Sequence, residues 1–421
     1  MPPETSGSRT VLVTGVSDPL GAAAAARLAA DPTVERVIVV DASPDTAPAE
    51  LSGDSELSGD SELSGDSELS GDSELSGDSE TSGTARHHRV TAAAPKLEYV
   101  PTDIRNPLIA KVIVGAEVDT VVHTAVFVSS PRTGSRAEMK ERNVIGTMQL
   151  LAACQKAPKL RKLVVRSSTA GYGMSPRDPA IFTEEDTPRE LPRGGYAKDI
   201  VEVEGYVRGF GRRRPDVAVT VLRFAPCLGP DADSPLARYF SLPMVPTTLG
   251  YDPRMQFVHV DDALDVLYRA VVEEHPGIFN VAGEGVLLLS QAIRRAGRVP
   301  VAMPSMAMSG MVAAARRSGL LDLSLDQLEF LMHGRVVDCS RLVTEFGFRP
   351  RRTVEAFDDF VRGLPGRSVV SADTVAVVEQ LMVDRFRKVR HRIAELLPSS
   401  PAATSGTETS DTKGVAVGRE P

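Results

Sequence analysis

The sequence predicts an α/β protein, a doubly wound parallel sheet with a smaller C-terminal lobe, and three observations carry that prediction. Its apolar runs are short, β-branched and free of polar alternation, as in strands buried on both faces. Helix-forming stretches separate these runs. The first run ends in glycine and passes directly into an alanine-rich helix.

Taken in order, Arg9-Thr-Val-Leu-Val-Thr-Gly15 is a strand and its turn, and Pro19 to Ala30 is the helix, with Asp18 suited to its N-cap and Pro19 to its first position. Arg36 to Asp41, Leu97 to Asp103 and Asp119 to Ala125 read as the second, third and fourth strands. A helix from Arg136 to Lys156 leads to a fifth strand, Leu160 to Ser168, and one from Gly195 to Arg214 leads to a sixth, Val217 to Phe224. These elements make a sheet domain of residues 9–226. Beyond it the pattern is irregular: Met255 to Asp262 opens a helix and Gly277 to Gly283 is a short strand. Residues 227–365 therefore read as a lobe lying over the sheet's C-terminal edge and interleaved with it.

The remaining segments carry little core. Residues 1–8 read as a flexible N-terminus. The insert at 42–96 contains five perfect copies of Leu-Ser-Gly-Asp-Ser-Glu at 51–80, and such residues bury too little apolar surface to offset their ordering entropy, so disorder is expected. Residues 371–397 have apolar Val378, Met382, Phe386, Val389, Ile393 and Leu396 at helical spacing, with a basic back of Arg385, Arg387, Lys388, Arg390 and Arg392. That reads as a packing or homodimer helix, with membrane-surface or partner docking as the alternative. The tail at 398–421 is expected to be disordered.

Charge and cysteine usage exclude several functions. The 421 residues carry a formal net charge of −8, but the repeats alone hold ten carboxylates and no base, so the other 391 residues sum to +2. A nearly neutral folded part argues against nucleic acid as partner. Cys154, Cys227 and Cys339 are an odd set at least 73 residues apart, which matches neither disulfides nor metal ligands and fits a reducing cytoplasm. Glu4 stands where a signal peptide needs positive charge, and no apolar run approaches the roughly 18 residues of a membrane span. A soluble protein with a small-molecule substrate is expected.

The first strand, turn and helix make the kind of place where a dinucleotide pyrophosphate rests on helix N–H groups. Thr14-Gly-Val-Ser-Asp-Pro-Leu-Gly21 resembles the Thr-Gly-x-x-Gly-x-x-Gly turn of extended short-chain dehydrogenases/reductases, the NAD-dependent epimerase/dehydratase type. Asp41 closes the second strand, where a carboxylate accepts from a ribose hydroxyl and repels a 2′-phosphate, so NAD is expected rather than NADP. The resemblance runs from about 9 to 365 and implies a Rossmann-like fold with a substrate lobe. Asp103-Ile104 is similar to the family's adenine contact, His123-Thr-Ala125 to its cofactor-lining segment, and Asn143-Val-Ile-Gly-Thr147 to the helix motif whose Asn orients the active site. Arg166-Ser-Ser-Thr-Ala-Gly-Tyr-Gly173 resembles the strand-five motif with its catalytic serine, here Ser168. Arg223 to Pro230 and Phe257 to Asp262 match the crossover into the lobe. The resemblance thus implies Gly15, Leu20, Gly21, Asp41, Asp103, Ile104, Thr124, Ala125 and Pro226 as cofactor contacts, and Tyr196, Ser168 and Asn143 as catalytic residues, with no metal.

Two departures bear on activity. Asp18 stands where the turn has its middle glycine, and Pro19 supplies no N–H. A carboxylate about 5 Å from a phosphate charge costs roughly 3 kcal/mol at an effective dielectric near 20, so weakened cofactor binding is expected. The family's Tyr-x-x-x-Lys places both side chains on one helix face, because four residues turn about 400°. This chain has Tyr196-Ala-Lys-Asp-Ile200, and Lys198 faces away by about 200° unless the helix starts later. A tyrosine of pKa near 10 is ionised to about one part in a thousand at pH 7, so Tyr196 needs help to act as a base. The implied function is NAD-dependent epimerase/dehydratase chemistry on a nucleotide sugar or similar hydroxylated substrate. A cofactor-binding regulator or scaffold without turnover, and a steroid-type dehydrogenase, are the alternatives.

Overall fold

Val11, Leu12 and Val13 are all fully buried, as an interior strand requires. The computed structural model describes residues 9–41, 96–126, 135–192, 195–232, 234–308, 310 and 325–364. The expected N-terminus (1–8), nearly all of the insert (42–95), the amphipathic helix (371–397) and the tail (398–421) lie outside the described residues.

The chain begins with β1 (Arg9–Thr14), α1 (Pro19–Ala30), β2 (Val34–Asp41), β3 (Leu97–Pro101), α2 (Leu108–Gly115) and β4 (Thr120–His123). It continues through α3 (Arg136–Lys140), a π turn over Glu141–Ile145, α4 (Gly146–Gln155), β5 (Lys162–Ser168), α5 (Gly195–Arg213) and β6 (Ala218–Phe224). Next come β7 (Cys227–Leu228), α6 (Pro235–Ser241), β8 (Met244–Thr248), β9 (Arg254–Met255), β10 (Val258–His259), α7 (Val260–Val272) and β11 (Gly277–Val281). After β12 (Leu287–Leu288), α8 (Leu289–Arg295), β13 (Val299–Met303) and β14 (Gly334–Arg335), the described chain ends in the helix Thr353–Gly363.

Seven strands form one parallel sheet in the order β11-β6-β5-β4-β1-β2-β3. Successive residues along each strand enter opposite cores. Val11, Val13, Val37, Val39 and Val164 pack with α1 and α7, whereas Leu12, Ile38, Val40, Leu163 and Val165 pack with α2, α4 and α5. Two apolar faces explain why the strands show no polar alternation. Cations close the far end: Lys162 Nζ donates to the Val271 and Glu273 carbonyls (2.9 and 2.6 Å) and Arg9 Nη1 to Val272 (2.9 Å), where α7 exposes its last acceptors.

The structure corrects one element. The helix expected over 136–156 is interrupted by the π turn, which holds Asn143. The stretch beyond residue 226, expected to be interleaved with the sheet, sends two elements into it. β11 is the sheet's seventh strand and α7 covers its α1 face. The lobe proper has its own core, in which Phe240 meets Phe357 edge-on at 5.1 Å, together with Tyr239, Phe257 and Phe360.

Candidate active site

The strand order reverses between β1 and β4, and the cleft at their carboxyl ends is where ligands settle in open α/β sheets. Gly15 turns there at φ +81°, and a Cβ on it would lie 2.5 Å from the Ala125 backbone. A Cβ on Gly21 would meet the Gly15 carbonyl and, at 2.6 Å, Thr124 Oγ1. Only glycines let β1, α1 and β4 come this close, which fits a dinucleotide cradle. Thr124 is fully buried and donates to the Thr14 carbonyl (2.5 Å), so its side chain fastens β4 to β1. Asp41, ending β2, accepts from the Ser17 N–H at 2.9 Å and so stands directly beside the turn.

Farther along the same edge, Asp103 accepts from the Arg105 backbone N–H (2.8 Å) and guanidinium (2.6–3.0 Å). Burial pushes its carboxyl up, but the Arg105 bonds outweigh that and hold it below the usual carboxylate range. The Ile104 side chain belongs to the core, and a Cβ on Gly146 would lie 2.7 Å from its Cδ1.

Asp18, expected to weaken cofactor binding, has two partners. Its Oδ1 caps α1 by accepting from the Leu20 N–H (3.0 Å) and also lies 2.6 Å from Arg166 Nη1. Both side chains are sheltered, 26% and 18% exposed. The carboxylate is thus paired with a guanidinium from β5. Burial alone would lower the Arg166 pKa, but the charge of Asp18 holds it above its ordinary value.

α5 starts at Gly195, so Tyr196 and Lys198 are both helical and Lys198 is exposed, which removes the late-start alternative. Ile200 is fully buried in the core. Tyr196 is half-buried, and the Ser168 Oγ accepts from the Ala170 N–H at 3.1 Å. Burial raises the Tyr196 hydroxyl's pKa, and the Arg166 charge opposes that only in part, so the net direction is up. Asn143 is buried, and its Nδ2 donates to Asp199 Oδ2 (3.2 Å), a carboxylate that Arg136 also grips at 2.6 and 2.5 Å.

Behind Ser168 runs a buried polar chain. Ser167 donates to Glu204 (2.5 Å), Glu204 is forked by Arg223 (2.9 and 2.7 Å), Arg223 donates to the Tyr172 hydroxyl (2.8 Å), and Tyr172 donates to Asn280 (2.7 Å). This chain ties β5, β6, β11 and α5 together and fixes the turn carrying Ser168. Pro226 is half-buried beside Cys227, whose thiol burial pushes up to about 11. His123 is buried between Thr14 and Thr147 at 2.8 Å on each side, and burial drives it down to about 4, so it is a neutral fastener of β1, β4 and α4. A cavity of about 440 Å³ is bounded by Gly283, Val337, Asp338, Cys339 and Arg349, and the Asp338 carbonyl accepts from Asn280 Nδ2 at 3.1 Å.

Sequence reasoning missed Arg166, although a lone arginine ending the apolar run Leu163-Val-Val was a signal. It likewise passed over Glu204, the partner of Arg223.

The family model of NAD dependent epimerases/dehydratases matches residues 11–282, which is β1 through the end of β11. An uncharacterized protein of Mycobacterium tuberculosis is 43% identical over 356 residues, 84% of each chain. UDP-glucose 4-epimerase of Thermotoga maritima, solved with UDP-glucose, has a TM-score of 0.58 at 16% identity, covering 84% of this chain and 98% of that one. The dTDP-glucose 4,6-dehydratase of Bacillus anthracis, solved with NAD, has a TM-score of 0.56 at 17% identity, covering 85% and 96%. With the glycine turn sealed on β4 and a family match that runs from β1 through β11, the chain belongs to the NAD dependent epimerase/dehydratase family.

Proposed function

We propose that the chain binds NAD and acts on a ring hydroxyl of a nucleotide sugar, with Tyr196 as acid/base, Ser168 as hydroxyl polariser and Asn143 as orienter. The observation that carries this reading is that Ser168 ends β5 on the edge that holds the glycine turn and that the turn following it is seated on α5, the helix of Tyr196, where a Cβ on Gly171 would lie 2.8 Å from Ile200 Cγ2. NAD, when bound, supplies a hydride acceptor and donor. Gly15 and Gly21 leave room for its pyrophosphate, and Asp41 offers a carboxylate to a ribose diol. Leu20, Asp103, Ile104, Thr124, Ala125 and Pro226 complete the proposed contacts. Asp103, Ile104 and Thr124 contribute chiefly by shaping the backbone there, because their side chains are bonded or buried elsewhere. Tyr196 takes the proton of the substrate hydroxyl and returns one. Ser168, already accepting from Ala170, has its own hydrogen left to direct at the same oxygen.

The reading is supported by relatives solved with UDP-glucose and with NAD. Denaturing the purified protein and identifying any released nucleotide by chromatography, then incubating the native protein with UDP-hexoses, tests it. Release or calorimetric binding of NAD and conversion of a sugar that Tyr196→Phe abolishes are expected. Absence of NAD binding would overturn it. A second reading, an NAD binder without turnover, is favoured by Ile200 in the position of the family's lysine. On that reading NAD binds, Tyr196→Phe leaves its affinity unchanged and no sugar is converted.

A further inference from the structure

We propose that the acidic repeats at 51–80 dock through charge on a basic surface that the ends of α4 and α5 present at the amino-terminal pole of the sheet. Both helices run antiparallel to the strands, so each ends where the next strand begins: Gln155, the last residue of α4, precedes Lys162 of β5, and Arg213 of α5 precedes Ala218 of β6. Residues 155–162 and 208–216 hold eight lysines and arginines against one acid, Asp216, a net charge of +7. Two of the eight are committed inside the fold. Lys162 donates to carbonyls at the end of α7, and Arg214 ties the two helix ends together, donating to the Cys154 and Ala157 carbonyls (3.0 and 3.1 Å) and pairing with Asp216 at 2.7 Å. Lys156, Lys159, Arg161, Arg208, Arg212 and Arg213 are exposed. Among the described residues none of these six is in an ion pair, and Arg213 Nε donates to a neutral oxygen, Gln155 Oε1, at 3.2 Å. Glu273 and Glu274, which follow α7, belong to the other face of the sheet, where α1 and α7 pack.

Charge and reach identify the occupant. The repeats carry ten carboxylates and no base, and the spacer after them, residues 81–96, adds only Arg86, Arg89 and Lys96. Because β2 and β3 are parallel, the insert leaves at the carboxyl pole after Asp41 and enters β3 at the amino-terminal pole, where α4 and α5 end. From β3 to β5 is four strand spacings and to β6 five, about 19–24 Å. Sixteen residues of flexible chain have a root-mean-square span of roughly 20–24 Å, and a tether whose span matches the distance gives the highest local concentration. Exposed charges in water pair without fixed geometry, so docking holds the repeats at the pole and leaves the stability of the fold almost unchanged. This chain's own carboxylates cover the basic surface at low salt and uncover it as salt rises.

Zero-length crosslinking of the full chain reads the contact. Carbodiimide joins a carboxylate to a lysine amine with loss of water, and mass spectrometry of the digested monomer band locates the links. The repeats should link to Lys156 and Lys159 well above Lys198, an exposed lysine in the first turn of α5 that lies about 20 Å away towards the opposite pole. Lys198 is a fair reference, because the insert leaves β2 at that opposite pole and only residues 42–50 precede the repeats. Raising salt from about 0.05 M to about 0.5 M should cut the Lys156 and Lys159 links about fivefold. Arg208→Gln, Arg212→Gln and Arg213→Gln combined, which leave both lysines in place, should cut them about threefold at low salt. Equal yield at Lys198, yields indifferent to salt or to the three substitutions, links to Lys388 in place of Lys156 and Lys159, or links confined to a dimer band would each overturn the proposal. Should the triple variant fail to fold by circular dichroism, the salt titration of the unmodified chain decides on the same terms.

Discussion

Ile200 occupies the space that a side chain on Gly171 would need: a Cβ built there would lie 2.8 Å from Ile200 Cγ2. The turn carrying Ser168 is thus seated directly on the residue that takes the family lysine's place. Gly171→Ala should destabilise the fold by about 1–3 kcal/mol through overpacking. Ile200→Val should recover part of the loss, a non-additive pair in urea unfolding. Simple additivity would show that the two residues do not share this space.

Asp41 should select the cofactor. Its carboxylate is bonded to the Ser17 N–H, so it is fixed beside the turn where a ribose would lie. NAD should bind at least about tenfold more tightly than NADP, which is ~1.4 kcal/mol, and Asp41→Ala should erase most of the difference. Isothermal titration with both nucleotides checks it; tighter NADP binding by the unmodified protein would refute it.

Stability should fall in mild acid because of His123. Its folded pKa of about 4 lies below the unfolded value near 6.5, so the unfolded chain binds a proton that the folded one refuses. The stability it contributes is complete above about pH 6.5 and is lost as pH falls towards about pH 4, about 3 kcal/mol in all. His123→Gln should flatten that slope in urea midpoints measured across the window. An unchanged slope would mean that other groups dominate.

The repeats should be dispensable for folding. β2 and β3 are parallel neighbours, Val37 beside Leu97 and Asp41 beside Pro101, so the connection must return along the paired length, on the order of 15 Å. Deleting 51–80 leaves residues 42–50 and 81–96 to make that return, which is ample, and it adds little closure entropy either way. The melting temperature should move by no more than about one or two degrees, since ~1 kcal/mol shifts a large domain by a few degrees. A larger loss would show that the repeats pack on something.

The strands were legible because burial on both faces leaves unbroken apolar runs, and the turn because Gly15 and Gly21 sit where backbones touch. Element ends were less so. β4 begins after Asp119, whose carboxylate accepts from the Thr10 N–H (2.6 Å), a long-range bond with no local mark in the sequence. Position 18 was read as a liability because periodicity within one chain does not say which residue will face it. Its partner comes from β5, two strands across the sheet, and only the assembled order β1-β4-β5 brings Arg166 to it. Lys198 stayed ambiguous until the start of α5 was fixed at Gly195.

The late arrival of β11 governs how this chain can be assembled. β6 finds its outer neighbour only when residues 277–281 have left the ribosome, with Gly277 set against Thr220 and Val281 against Phe224. Until then β6 is an open edge offering unpaired amides, next to apolar surface that α7 has yet to cover. A fragment ending at 226 would therefore be a template for pairing with other chains and should be found in inclusion bodies. A fragment extended through 282 carries the missing strand, so soluble expression should switch on between these two end points.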